Sequence, residues 1–110
     1  MKIDETTGYK NSVKKIKKNY EAKRKLNTII NHIEAVDTYD ELKKHPMSYI
    51  YGFEELRDDL TNYCRFSLDK NGGTGKLRLI FSCLDDSIVL EYISDEHYED
   101  FKKYLNKEKR

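Results

Sequence analysis

Three residues in the second half of this 110-residue chain have the types and spacing to act on a phosphodiester. Arg78 lies inside the apolar run Leu77-Arg78-Leu79-Ile80-Phe81, and His97 and Tyr98 follow closely on a second run, Ile88-Val89-Leu90-Glu91-Tyr92-Ile93. A turn at Asp85-Asp86-Ser87 separates the runs, so they read as a β-hairpin that leads straight into a short helix. Cationic, imidazole and phenol groups on one sheet face can hold a phosphodiester and move protons around it. An arginine in an otherwise apolar strand must reach water or an acceptor. Phosphate and the carboxylates of Glu54, Glu55 or Glu91 are the candidates. Each residue also has a plain structural role open to it: His97 as a surface residue at a helix start, Tyr98 as packing beneath the last strand. No spacing of His, Cys and Asp forms a metal site.

The elements that must position these groups follow from periodicity. Val13, Ile16, Tyr20, Leu26, Ile29, Ile30 and Ile33 recur at helical spacing and predict one long amphipathic helix from Asn11 to Ala35. Thr38-Tyr39-Asp40-Glu41 has the capping-box pattern and starts a second, shorter helix, which His45-Pro46 ends. Two helices joined this closely should pack antiparallel and need a sheet to cover their apolar face. Strands are predicted at Tyr63 to Leu68, Lys76 to Leu84 and Ser87 to Ile93. In the last, Ile88, Leu90 and Tyr92 share one face, and in the middle strand Leu77, Leu79 and Phe81 oppose Arg78, Ile80 and Ser82. Residues 69–75, Asp-Lys-Asn-Gly-Gly-Thr-Gly, form a hairpin loop by composition; the glycines do not fit a nucleotide-binding phosphate loop, and Lys76 is followed by Leu77 rather than a hydroxyl. Ser94 is placed to cap a last helix, with Asp95 and Glu96 in its first turn and Phe101, Tyr104 and Leu105 facing inward. The expected class is α+β: two N-terminal helices on a small antiparallel sheet of three to four strands, closed by a C-terminal helix.

Composition bounds the reading. Residues 1–110 are the length of one domain, with neither internal repeat nor linker. No apolar run approaches the ~18 residues of a membrane span, and the lysine-rich N-terminus is unlike a secretion signal, so a cytoplasmic protein without a membrane partner is expected. Cys64 and Cys83 then read as reduced packing residues. Net charge is only +1, but Lys10 to Lys25 holds eight basic residues against one acid, Glu21. That stretch is either a solvated helix face or a phosphate-tracking surface made of Lys14, Lys15, Lys17, Lys18, Lys23, Arg24 and Lys25, with Lys76 added from the sheet.

Leu56-Arg57-Asp58-Asp59-Leu60-Thr61-Asn62-Tyr63, a strand with Arg65, and then Leu77-Arg78-Leu79-Ile80-Phe81 resemble the RelE/ParE superfamily of toxin–antitoxin toxins over about residues 40 to 105. The segment from Tyr49 to Tyr98 is most similar in style to the YoeB-like messenger-RNA endonucleases. That resemblance implies a type II toxin that cuts message on the ribosome, without metal or small-molecule cofactor, and is silenced by a protein antitoxin. It implies site residues at Glu54 (or its neighbour Glu55), Arg78, His97 and Tyr98. In these roles Glu54 is the base, Arg78 and Arg65 the electrostatic clamp, His97 the acid and Tyr98 a positioning or stacking residue. The chain departs from the family pattern at Asn62, where glycine is usual, and at its N-terminus, where Lys2-Ile3-Asp4 leaves the first edge strand shortened or absent. Two alternatives within the fold are a ParE-like inhibitor of DNA gyrase, which has no need of His97, and a catalytically silent binding module.

Overall fold

A computed structural model of the chain describes residues 1–68 and 76–108; the glycine-rich loop at 69–75 lies outside the described residues. In chain order the elements are β1 (Lys2–Glu5), α1 (Thr7–Ser12), a 3-10 turn (Val13–Ile16), α2 (Tyr20–Ala35), α3 (Tyr39–Lys44), α4 (Pro46–Ile50), β2 (Glu54–Glu55), a second 3-10 turn (Asp58–Leu60), β3 (Cys64–Ser67), β4 (Leu77–Leu84), β5 (Ser87–Asp95) and α5 (Glu99–Glu108). The strands form one sheet in the order β1-β5-β4-β3-β2. The class is α+β as expected, but the sheet is five-stranded and mixed, because β1 runs parallel to β5 while the other pairs are antiparallel. The short N-terminal strand therefore exists. Four residues suffice because pairing to β5 supplies what its own length does not, and Thr6 extends the ladder by donating its N–H to Leu90 O.

The long helix predicted from Asn11 to Ala35 is broken in three. Thr6 accepts from Tyr9 N to cap α1, and Asn19 accepts from Ala22 N at 3.0 Å to start α2 afresh. Asparagine favours such caps over helix interiors, and four lysines between Val13 and Asn19 repel one another on a continuous helix. Past the break, Ala22, Leu26, Ile29 and Ile33 form the buried stripe of α2. Tyr20, expected in that stripe, is instead 84% exposed.

The helical layer packs on one sheet face, where Phe66, Leu79, Phe81, Ile88, Leu90 and Ile93 meet Ile16, Leu26, Ile29, Ile33 and Leu42. The other face carries a smaller core of Leu60, Ile80 and Phe101, with Tyr63, Tyr92, Tyr98, Tyr104 and Leu105 packed around it. Both faces of β4 are thus covered, α5 covering the second. The β4–β5 hairpin closes on a two-residue turn, Asp85-Asp86, with φ of 51° and 61°, both left-handed as such a turn requires.

Strict alternation along β5 fails at one point. Ile80 pairs with Tyr92 but Phe81 pairs with Leu90, so Glu91 is an extra, bulged residue. Tyr92 consequently faces α5 while Ile93 faces the helical layer, the reverse of the period-two reading. Ser94 does not cap α5 either. It is buried within β5, and Asp95 accepts from His97 N at 3.0 Å and Glu99 N at 3.2 Å in its place. Among the described residues no helix is long and apolar enough to cross a membrane.

Candidate active site

Sequence places Glu54 and Glu55 side by side, and a two-residue strand sends them to opposite faces. Glu55 turns to the helical side, where its carboxylate accepts from Tyr39 Oη at 2.7 Å and pairs with Lys43 Nζ at 3.0 Å. The bonds from Tyr39 and Lys43 hold that carboxyl below the usual range. Tyr39 Oη also lies 3.2 Å from Cys64 Sγ, and burial pushes the Cys64 thiol up to about 11. Both cysteines are free.

Glu54 turns the other way and pairs with Arg65 Nη2 at 2.6 Å, directly across the β2–β3 ladder. Arg65 is held from behind: its Nη1 donates to Gly52 O at 2.8 Å and to Ser67 Oγ at 2.9 Å. Its side chain is 13% exposed, whereas Glu54 is 57% exposed, so the pair presents a fixed guanidinium beneath an accessible carboxylate. Gly52 makes this possible. It has φ of +78°, and a Cβ there would sit 2.6 Å from Ser67 Oγ.

Arg78 shares this face. Arg65 pairs with Ile80, and Arg78 pairs with Ser67 on one side and Ser94 on the other. The two arginines are thus diagonal neighbours, roughly 7–8 Å apart along the backbone. Arg78 is 6% exposed, and its Nη1 donates to Leu77 O at 3.3 Å. Small hydroxyl residues on both flanks leave room for the guanidinium.

Tyr98 reaches the site by a backbone device. Its φ of 61° turns the chain from β5 into α5, and its ring packs against the Leu60–Ile80–Phe101 core. Tyr98 and Glu54 then line one cleft of about 330 Å³ with Leu56, Arg57, Asp58 and Lys102. His97, one residue earlier, stands out from the turn. Its side chain is 78% exposed, with Nε2 3.5 Å from the Glu96 carboxylate. The structure therefore pairs Glu54 with Arg65, lines a cleft with Glu54 and Tyr98, sets Arg78 beside Arg65 on the same face, and leaves His97 exposed on the turn, outside the lining of that cleft.

The basic residues divide by role. Lys15 is engaged structurally: it bonds the Asp100 carboxylate and Ile93 O, and lies 4.7 Å over the Tyr92 ring. Lys25 stacks 6.0 Å over Tyr51. Lys14, Lys17 and Lys23 rim a recess on the helical layer, Arg24 and Lys25 border a neighbouring one with Glu21, and Lys18 and Lys76 are exposed. Sequence reasoning missed Gly52 and Ser67, the groups that fasten Arg65. The available signal was the alternation of Arg65 with Ser67 on one strand face.

No protein-family model matches the chain, and no curated protein sequence matches it. Solved structures do resemble it. The YafQ structure from Escherichia coli strain BL21(DE3) superposes with a TM-score of 0.64 at 16% identity, covering 86% of this chain and 92% of YafQ. A copper-bound mutant toxin from Helicobacter pylori gives 0.65 at 14% identity over 90% of this chain and 98% of the toxin. The YoeB dimer from Staphylococcus aureus gives 0.55 at 16% identity over 84% and 92%. YafQ and YoeB are also seen in toxin–antitoxin complexes, with DinJ and YefM respectively. At these identities the likeness is one of fold: the chain adopts the RelE-like architecture of these toxins.

Proposed function

We propose that this chain is the toxin of a type II toxin–antitoxin pair, and that it cleaves messenger RNA on the ribosome until a protein antitoxin covers it. One observation carries the reading: strand register gathers Glu54, Arg65 and Arg78 on a single sheet face, with Tyr98 on the cleft beside Glu54, in a fold shared with the YafQ and YoeB toxins. Attack of a ribose 2′-hydroxyl on the adjacent phosphorus forms the new P–O bond and expels the 5′-oxygen. Glu54 takes the hydroxyl proton, Arg65 and Arg78 stabilise the charge on the crowded phosphate, and His97 protonates the departing oxygen. The substrate phosphate draws Arg65 from Glu54 and leaves that carboxylate open to the hydroxyl. Tyr98 supports the base beside the scissile bond by stacking. General acid and general base catalysis each contribute about 10²- to 10⁴-fold.

The test is cell-free translation followed by primer extension on the message, with wild type, Glu54→Gln, Arg78→Ala and His97→Ala. Ribosome-dependent cuts that fade by about 10²-fold or more in each variant are expected. An intact message in the presence of wild type overturns the endonuclease reading. Inhibition of gyrase supercoiling by both wild type and His97→Ala would replace it with the ParE-like one.

A further inference from the structure

Tyr20 is a large aromatic residue that the helix break has turned into solvent, where it contributes nothing to the core. It opens α2 directly after Lys17, Lys18 and Asn19, and Lys23, Arg24 and Asn27 continue its side of the helix at spacings of three, four and seven residues. Beside this stripe lies a recess of about 290 Å³ whose floor is Val13, Ile16 and Leu26. Its rim is Lys14, Lys17 and Lys23, with the Asn27 amide alongside. An apolar floor the size of a base, a ring of ammonium groups and a free aromatic face are the parts of a single-strand nucleic-acid platform.

We propose that this surface binds a single-stranded segment of ribosomal RNA. One base stacks on Tyr20, a neighbouring unstacked base enters the Val13–Ile16–Leu26 recess with Asn27 at its polar edge, and Lys14, Lys17 and Lys23 meet the phosphates between them. Charge supports an RNA occupant, since Lys10 to Lys25 carries eight basic residues against the single acid Glu21. A protein partner would require a cluster of apolar anchors. The other exposed large apolar side chains, Tyr49, Ile50 and Leu84, belong to α4 and the tip of the β4–β5 hairpin, away from this stripe. The patch sits on the helical layer, behind the sheet face that carries Glu54, Arg65 and Arg78. The RNA it holds is therefore separate from the strand being cut, which selects ribosomal RNA over the message. The inference rests on the ribosome-directed reading above.

The test is equilibrium binding of the full chain to a short unstructured RNA, followed by fluorescence anisotropy, and co-sedimentation with message-free ribosomes. Tyr20→Ala should weaken oligonucleotide binding by about 5- to 150-fold, the range of one lost stacking contact. Tyr20→Trp should restore it, and the melting temperature should not move, since the side chain is exposed and belongs to neither core. Lys17→Gln and Lys23→Gln should each lower the slope of log K against log salt by about 0.7. A duplex RNA, whose bases are already stacked, should show no dependence on Tyr20. Co-sedimentation should fall in the same variants. Binding that ignores Tyr20 overturns the proposal, as does co-sedimentation that appears only when message is present. Neither readout needs scission. Loss of cutting activity with Tyr20-dependent binding intact would therefore remove the catalytic reading alone.

Discussion

Gly52→Ala isolates the link between backbone geometry and the arginine clamp. Gly52 has φ of +78°, a conformation that costs a residue with a Cβ about 1–2 kcal/mol. The added Cβ would also lie 2.6 Å from Ser67 Oγ and 3.1 Å from Arg65 Nη1. To relieve that contact Ser67 must rotate away, and its hydroxyl is one of the two acceptors of Arg65 Nη1. Losing a hydrogen bond from a charged donor costs about 1.5–3 kcal/mol. A stiffer unfolded chain offsets about 0.4–1 kcal/mol. The net destabilisation is about 2–4 kcal/mol, a fall in Tm of roughly 8–20 °C for a chain of this size. Thermal melts followed by circular dichroism measure it. Ser67→Ala removes the same hydrogen bond by another route, so the double variant should be less destabilised than the two single effects summed. An unchanged Tm for Gly52→Ala, or strict additivity in the cycle, would refute the reasoning. Under the endonuclease reading, cutting should fall with stability held fixed, because a loosened Arg65 no longer holds its guanidinium in place for the phosphate.

Two titrations give further outcomes. Burial, with the charge of His45 beside it and the opposing pull of Glu41, holds the His32 imidazole below 6.5. The unfolded chain therefore binds this proton at higher pH than the folded one, so stability is complete above about pH 6.5 and declines as pH falls below it. Ser48 Oγ donates to Leu42 O, so His32 Nε2 must donate to Ser48 across 2.9 Å; His32→Gln keeps a donor there and should flatten the acid limb of a Tm–pH curve. Burial would raise the Asp100 carboxyl, but hydrogen bonds from Lys15 and Ser94 outweigh it and hold the group below 3.8. That stability is present above the unfolded pKa and is lost as pH falls through the folded one. Lys15→Gln should remove about 0.5–1 kcal/mol at neutral pH, read from urea melts, and less once Asp100 is protonated, when only the contacts to Ile93 O and the Tyr92 ring remain to be lost.

The parts of the fold legible in the sequence are those fixed by local pattern. The Asp85-Asp86 turn, the strand around Arg78, the Thr38 cap and the inward face of α5 each follow from residues within a few positions of one another, and each is found. Asn62, which stands where glycine is usual in the family pattern, has φ of 83°, a left-handed conformation that asparagine tolerates. What sequence reasoning missed depends on partners far along the chain. β1 exists because β5 offers an edge 85 positions away, and β2 is only two residues long, below any periodic signal. Tyr20 fitted the helical period well, and only the Asn19 cap shows why that period does not apply. In the candidate site, Arg78 was conspicuous as a charge in an apolar run and Arg65 through the family resemblance, whereas the different surroundings of Glu54 and Glu55 emerge only from strand alternation, which turns one to Arg65 and the other to Tyr39 and Lys43.

The bulge at Glu91 shows how a single residue that no periodic pattern predicts sets the character of the site. Ser82 Oγ donates to the Glu91 carboxylate at 2.6 Å, and Thr6 Oγ1 donates to its carbonyl at 2.9 Å, so the extra residue is held by two neighbours. Were Glu91 paired in a regular ladder instead of bulged, β5 would alternate unbroken from Leu90, turning Tyr92 and Ser94 toward the helical layer and Ile93 toward the arginine face. Ile93, rather than Ser94, would then stand opposite Arg78. A branched apolar side chain pressed against a buried guanidinium raises the cost of its charge. The bulge instead puts Ile93 into the main core, Tyr92 against Phe101, and a small hydroxyl residue beside the arginine. The same extra residue shifts the exit of β5 by one position, and with it the direction from which His97 and Tyr98 enter the turn.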